Sequence, residues 1–159
     1  MIIVADSSPL ISLAILSKLD LLTSLFDEIY IPKAVFSEIS IEDKPFSDLF
    51  GRLKNMRIVD VNNKIALTIL SKDLDLGESE AIVLAMENKI GNILMDEQKG
   101  RRIAIANGLH PIGTIGVLIQ AKKMGLIENI KSYLDILIKN NIYISNKLYT
   151  YSLKIVEED

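Results

Sequence analysis

Residues 2–9 read IIVADSSP, and this stretch decides the fold class because it joins a buried strand to a helix. The apolar, partly β-branched run Ile2–Ala5 predicts a strand covered on both faces, as strands are in parallel sheets. Asp6 ends that strand. Ser7 or Ser8 can cap the helix that follows, and the proline fits its first turn. The stretch therefore predicts the opening of an α/β domain.

Strand and helix patterns alternate along the rest of the chain, with short apolar strands between longer amphipathic segments. This alternation predicts an α/β three-layer sandwich with a mainly parallel central sheet flanked by helices. The further strands are predicted at 28–31, 57–61, 93–95 and 111–113. A helix from Pro32 is predicted to face the core with Val35, Phe36 and Ile39, a loop is predicted at 42–45, and Thr114 is predicted to cap the helix that it begins. The other helices are predicted after Asp20 and at 10–17, 46–54, 65–71, 77–87, 99–106, 114–123, 130–139 and 147–157.

The length of 159 residues fits one domain, with the residues from about 130 forming a helical C-terminal extension. Hydrophobic residues make up 49% and charged residues 25%, which is typical of a globular protein and argues against disorder. The N-terminus lacks the basic start and long apolar stretch of a signal peptide. No uncharged apolar run approaches the roughly 18 residues that a membrane span needs. We therefore expect a cytoplasmic protein that does not enter a membrane.

Residue types that are rare or missing exclude several kinds of site. The chain has no cysteine, which excludes disulfides, zinc–thiolate sites and cysteine nucleophiles. Its one histidine, His110, excludes a histidine-rich metal site, and we assign it no role. Any metal must be held by oxygen ligands, which favours Mg²⁺ or Mn²⁺. The net charge of -3 argues against indiscriminate binding of nucleic acid but leaves a local basic patch possible.

Two acids follow predicted core strands directly: Asp6 and Asp96. Ligands of open parallel sheets bind at the carboxyl ends of the strands. A carboxylate there is costly unless something pairs with it, and two neighbouring ends could place both acids on one metal. Each acid alone also fits an ordinary helix cap or a solvated loop position, so the pair is stronger evidence than either member.

Two glutamates are candidates with strong alternative interpretations. Glu38 lies in an otherwise apolar helix segment and would ordinarily be a solvent-facing residue. Glu80 and Glu78 lie in the first turn of the helix over 77–87, where acids suit the helix dipole. One of these two glutamates can serve the helix while the other serves a site.

A basic cluster follows Asp96 directly and comprises Lys99, Arg101 and Arg102. Such side chains could hold a substrate phosphate beside metal-binding carboxylates. The alternative is a solvated face of the predicted helix over 99–106, which the periodicity fits equally well.

Four segments together resemble the motifs of PIN-domain nucleases, and they occur in the same order and spacing over roughly residues 1–125. These are the strand and Asp in 2–11, the Pro-started helix carrying Glu38 in 31–39, GESEAI at 77–82 and NILMDE at 92–97. The resemblance is strongest to a PIN-like subgroup with Gly-Glu-x-Glu-Ala and Asp-Glu-x-x-Gly-Arg-Arg. The third acid, Glu80, stands where Asp is more usual in the family, so its reach to a metal is longer.

The resemblance implies a ribonuclease toxin of the VapC kind or a relative of one. It implies a homodimer that cleaves RNA with Mg²⁺ or Mn²⁺ and is neutralised by a cognate antitoxin protein. The implied metal ligands and catalytic residues are Asp6, Glu38, Glu80 and Asp96. The resemblance also implies residues that orient the carboxylates or water, namely Ser7, Glu78, Glu97 and Thr114. It implies residues that contact the substrate phosphate, namely Lys99, Arg101 and Arg102.

Several other α/β phosphate enzymes lack their motifs here. A haloacid-dehalogenase phosphatase needs Asp-x-Asp after the first strand, where this chain has Asp6-Ser7-Ser8. The acidic pair and late Lys of a receiver domain, the Gly-x-Gly-x-x-Gly of a dinucleotide domain and the P-loop are also missing. The remaining alternative is a non-catalytic PIN-like module that binds nucleic acid or protein, against which the near-complete set of acids counts.

Overall fold

A computed structural model describes residues 1–41, 47–51 and 53–159 of the chain. The strands form one sheet in which every pair of neighbours is parallel. They are β1 (Ile2–Ala5), β2 (Glu28–Pro32), β3 (Met56–Val59), β4 (Asn92–Leu94) and β5 (His110–Ile112). The helices are α1 (Ser7–Ile15), α2 (Asp20–Leu25), α3 (Lys33–Ile39), α4 (Ser47–Phe50), α5 (Lys64–Leu70), α6 (Leu76–Glu87), α7 (Gln98–Ala106), α8 (Thr114–Lys123), α9 (Lys131–Lys139) and α10 (Asn146–Ile155).

The sheet runs in the order β3-β2-β1-β4-β5, so β1 is its central strand. Its apolar run fits this place because both faces of a central strand are covered. Ile3 and Ala5 pack into one core cluster, and Val4 between them packs into the other. This confirms the α/β sandwich with a parallel central sheet that the sequence predicts.

Helices cover the sheet in two layers. One core cluster lies between the sheet and α1, α2 and α8. The other lies between the sheet and the helices α5, α6 and α7. The short helix α3 packs on both α1 and α6, and it therefore bridges the two layers. This bridging position brings a residue of α3 to the ends of the central strands.

The C-terminal helices α9 and α10 belong to the first core cluster. Leu134 and Leu137 of α9 are buried there, as are Leu153 of α10 and Val156 after it. Burial of such side chains stabilises a fold by about 1.5–3 kcal/mol each. The predicted extension from about residue 130 is therefore packed on the sheet layers through its apolar face.

Two predicted helix caps are wrong, and both errors have the same cause. Asp6 is the N-cap of α1, so Ser7 is the first helical residue. Gly113 is the N-cap of α8, so Thr114 is again the first helical residue. In both helices the hydroxyl donates to a carboxylate outside its own helix, on Glu38 or Asp96, and does not act as a cap.

Other differences from the predicted elements are small. Phe36 was expected in the core but is 38% exposed, because the buried face of α3 is the one that carries Val35 and Ile39. The remaining boundaries move by a few residues, which is normal at frayed helix ends. The predicted loop at 42–45 lies outside the described residues. Among the described helices, none is long and apolar enough to cross a membrane.

Candidate functional site

The carboxyl ends of β1 and β4 meet where the chain changes direction across the sheet. From β1 the chain continues to β2 and β3 on one side, and it returns to β4 and β5 on the other. Open parallel sheets bind ligands at such a switch point. Ala5 is paired with Leu94, and the N–H of Asp6 donates to the carbonyl of Leu94 at 2.9 Å. Asp6 and Asp96 therefore leave adjacent strands at the same edge.

Asp6 is a buried carboxyl group surrounded by other acids. Burial is the main cause that raises its pKa from 3.8 to about 7, and only 4% of the residue is exposed. The charges of Asp75, Glu38 and Asp96 raise the pKa further, while the backbone N–H of Ser7 lowers it. Burial and like charges both disfavour the ionised form. A cation at this place would relieve both.

Glu38 reaches Asp6 from α3 across a glycine. Its Oε2 accepts a hydrogen bond from the Ser7 hydroxyl at 2.5 Å. A Cβ built at Gly77 would lie 2.7 Å from Glu38 Oε1 and 3.5 Å from Asp6 Oδ1. Two carboxylates thus approach the same point, and Gly77 leaves room for them because it has no side chain.

Asp96 is held by the first residue of α8. The N–H of Thr114 donates to Asp96 Oδ1 and its hydroxyl donates to Oδ2, both at 2.7 Å. The start of a ten-residue helix is a favourable place for a negative charge because its N–H groups point outward. The orientation of this carboxylate is therefore determined by two charge-assisted hydrogen bonds.

Asp75 is a member of the cluster that sequence reasoning missed. It is the N-cap of α6, and its Oδ1 accepts the N–H of Glu78 at 2.8 Å. Its charge is nevertheless the first among the carboxylates that raise the pKa of Asp6. The capping box Asp75-x-x-Glu78 is visible in the sequence and marks a helix start. The nearness of this helix start to Asp6 depends on how α6 packs and has no local signal.

Glu78 is buried beside Asp75. Burial raises its pKa to about 7, and Asp75 and Asp6 add to the shift through a hydrogen bond and through their charges. Its Oε2 has no hydrogen-bond partner among the described residues and would lie 2.8 Å from a Cβ built at Gly100. A buried carboxylate oxygen without a partner is costly and calls for an explanation.

Glu80 points to a different partner. Its Oε2 accepts the backbone N–H of Ala34 at 2.9 Å, at the start of α3. It is not among the carboxylates that raise the pKa of Asp6. The structure therefore groups Asp6 with Glu38, Asp75 and Asp96, and it places Glu80 on the link between α6 and α3.

Arg101 lies next to Asp96. Its Nη1 donates to the carbonyl of Met95 at 2.9 Å. A Cβ built at Gly113 would lie 3.1 Å from that nitrogen and 2.9 Å from Asp96 Oδ1. The guanidinium and the carboxylate thus line the same narrow space, and Gly113 keeps it open.

The other predicted contacts are more exposed. Lys99 and Arg102 are on the solvent side of α7, and Glu97 is its N-cap, accepting the N–H of Lys99 at 3.4 Å. His110 is exposed at the start of β5. Arg101 is therefore the basic residue of this cluster that the structure places at the carboxylates.

A family comparison agrees with the motifs. A protein-family model described as a PIN domain matches residues 2–158. The chain belongs to the PIN-domain family. The match includes α9 and α10, so the C-terminal helices of this PIN domain fall within the family's own boundaries. No curated protein is significantly similar to the chain. PIN domains are generally nucleases and typically bind divalent metals.

The donor set of this PIN domain fits a hard divalent cation by its chemistry. Every candidate ligand is a carboxylate oxygen, and two of them, on Glu38 and Asp6, approach the same point over Gly77. Oxygen donors of this kind are those that Mg²⁺ prefers. Over residues 1–41, 47–51 and 53–159, no three acidic or histidine side chains already converge tightly enough to hold an ion. Joint binding of one ion by these acids would therefore require their side chains to move closer together.

Proposed function

We propose that this PIN domain is a metal-dependent endoribonuclease that hydrolyses phosphodiester bonds of RNA. The observation that carries the proposal is Asp6, a buried carboxyl at the switch point of the sheet. Its pKa is raised to about 7 by burial and by the charges of Asp75, Glu38 and Asp96. A fold that stabilised only itself would avoid such repulsion. Strongly perturbed carboxyl groups are typical of functional sites.

Asp6, Glu38 and Asp96 would hold Mg²⁺ or Mn²⁺, with Glu80 as the fourth ligand that the PIN resemblance implies. A bound divalent cation supplies activation of the attacking water and neutralisation of phosphate charge. To act as that ligand, Glu80 would have to release the N–H of Ala34 at the start of α3.

Neighbouring side chains orient these ligands. Ser7 donates to Glu38 and Thr114 donates twice to Asp96, which limits the directions in which both carboxylates can face. Hydrogen bonds from behind a ligand are a common means of tuning a metal site. Glu78 and Glu97, at the starts of α6 and α7, are neighbouring acids that would substitute for or assist Glu80.

Substrate phosphate would contact the basic cluster of α7. Arg101 lies beside Asp96, and its planar guanidinium can contact two phosphate oxygens at once. Lys99 and Arg102 are exposed on the same helix and would contact phosphates farther along the strand.

The biological setting that we propose is a toxin of the VapC kind. In that setting the chain acts in the cytoplasm as a homodimer and is neutralised by a cognate antitoxin protein. This rests on the resemblance of GESEAI at 77–82 and DEQKGRR at 96–102 to the corresponding motifs of a PIN-like subgroup.

The test is cleavage of a mixed RNA pool by the purified protein with Mg²⁺ or Mn²⁺. We expect cleavage that EDTA abolishes and that Asp6→Asn and Asp96→Asn each abolish. Asp135→Asn, an exposed acid of α9, is the matched control and should cleave as the wild type does. Equal cleavage by the Asp6→Asn protein would mean that the carboxylate cluster is not responsible.

A non-catalytic PIN-like binding module is the second candidate. The observation in its favour is that no three acids converge among the described residues and that Asp96 and Glu80 already have backbone partners. Such a module would bind RNA or protein in EDTA with undiminished affinity and would cleave nothing in any metal.

A further inference from the structure

Two grooves open onto Asp96 from the side of the C-terminal helices. Their volumes of about 570 and about 470 Å³ fall in the range of small-ligand pockets. Asp96, Gln98 and Leu148 line both of them. Leu148 of α10 therefore separates two grooves that meet at one proposed metal ligand.

The first groove carries an aromatic ring that nothing in the described chain covers well. Tyr143 lines it and is 88% exposed, although it sits beside the half-buried Ile142. Helix α1 contributes Ser8 and Ser12 to the lining of the same groove. A mixed wall of hydroxyls with one free ring suits a nucleobase, which has a flat face and polar edges.

The second groove carries another exposed ring beside a cation. Tyr151 of α10 lines it and is 62% exposed, while Arg101 lies at the end near Asp96. Much of the remaining lining is apolar and includes Ile112, Ile115, Ile119 and Ile155.

We propose that these grooves seat the two nucleotides on either side of the cleaved phosphodiester, with Tyr143 stacking on one base and Tyr151 on the other. The ligand is single-stranded RNA, and the inference rests on the proposed nuclease function because both grooves meet at Asp96. Every base has a flat face, so aromatic stacking binds single strands with little regard for sequence.

The geometry favours a single strand over a duplex or a protein helix. Each tyrosine lies in a groove of its own, and Leu148 stands between the two grooves. Bases that are splayed apart fit this arrangement, whereas paired bases are already stacked on their neighbours. Arg101 lines the second groove beside Asp96, and it supplies the positive charge that the acids of the site do not.

The test is the affinity for a short fluorescein-labelled RNA of mixed sequence, measured by anisotropy. All proteins carry Asp6→Asn, so that binding is measured without cleavage. Tyr143→Ala and Tyr151→Ala should each weaken binding about tenfold, in keeping with the stacking contribution of one base. Tyr143→Phe and Tyr151→Phe keep the ring and should bind within about twofold of the parent. Thr150→Ala, an exposed residue of α10 that lines neither groove, is the matched control.

Unchanged affinity in both alanine variants would overturn the inference even if the wild type cleaves RNA. A change of oligomeric state with unchanged RNA affinity would also overturn it and would assign the rings to a protein interface. Tenfold losses without any cleavage by the wild type would support the two base-stacking sites and overturn the nuclease proposal.

A tryptophan reporter gives a second readout. The chain contains no tryptophan, so Tyr143→Trp introduces the sole one. Stacking of a base should quench its fluorescence as RNA is added, and Tyr151→Trp should behave in the same way. Fluorescence that stays constant at saturating RNA in both proteins would contradict base stacking.

Discussion

The two halves of the candidate site, one at the end of β1 and one at the end of β4, hold their carboxylates in opposite ways. Asp6 is buried among like charges, and its pKa is raised to about 7. Asp96 is less buried, and Thr114 donates two hydrogen bonds of 2.7 Å to it. The ionised form of Asp6 is therefore destabilised, while the carboxylate of Asp96 is already held in one orientation.

This difference suggests that the two carboxylates have different roles within one site. A ligand that is held by two donors keeps its direction before a cation arrives. A buried carboxyl that repels its neighbours gains most when a cation arrives, because the cation removes the repulsion. The Asp6 half should therefore respond most to pH and metal, and the Asp96 half most to loss of its hydrogen bonds.

The largest expected effect is the pH dependence of the metal-free protein. The pKa of Asp6 in the folded chain lies above its unfolded value of 3.8, so folding favours the protonated form. The stability that protonated Asp6 contributes to the fold is fully present below pH 3.8 and is lost as pH rises through about 7. Fully ionised Asp6 then costs up to about 4 kcal/mol. Urea unfolding of wild type and Asp6→Asn over pH 4–8 measures the difference.

Asp6→Asn should match the wild type near pH 4 and be the more stable protein at pH 8. Glu78 also has a raised pKa, so part of the pH dependence should persist in the variant. Parallel curves for the two proteins would contradict the assignment of the shift to Asp6.

A smaller effect is expected at the other half of the site. Thr114→Val removes the hydroxyl that donates to Asp96 Oδ2, and it should lower the free energy of unfolding by about 1–2 kcal/mol. Thr114→Ser keeps the hydroxyl and serves as the matched control. The loss should not depend on pH between 6 and 8, in contrast to the Asp6 effect. Chemical denaturation at both pH values checks it, and a pH-dependent loss would contradict the comparison.

The smallest effect on stability is expected at Gly77. A Cβ there would come too close only to the end of the Glu38 side chain, which can swing away, while Asp6 Oδ1 at 3.5 Å is an ordinary contact. Alanine also favours a helix over glycine by about 1 kcal/mol. Gly77→Ala should therefore unfold within about 1 kcal/mol of the wild type but lose RNA cleavage, because Glu38 is displaced. Parallel unfolding and cleavage assays test this. Full cleavage would mean that Glu38 is not needed beside Asp6.

The sequence predicts the Asp96 half of the site better than the Asp6 half. Asp6 and Asp96 can both be recognised in the sequence as acids that end apolar strands. A parallel sheet then places both acids at the same edge. Thr114 follows β5 at a helix start, so its position is also local. The position of Asp75 beside Asp6 could not be predicted from the sequence, because its role as the N-cap of α6 already accounts for an acid at this place.

Tertiary packing decides the remaining features. Glu38 reaches the site because α3 bridges the two helix layers, and a seven-residue segment carries no sign of that. Glu80 fits the family motif, yet its side chain accepts the N–H of Ala34 from another helix. The exposed ring of Tyr143 similarly depends on where the segment between α9 and α10 crosses the site.

The measurement that tests the central claim most directly is the melting temperature at pH 7.5 with and without millimolar Mg²⁺ or Mn²⁺. Metal should raise the melting temperature of the wild type by several degrees, since a ligand that binds only the folded state stabilises it. Asp6→Asn should remove most of that rise, while Asp135→Asn should retain it. No rise in the wild type, or an equal rise in Asp6→Asn, would contradict a metal site built around Asp6.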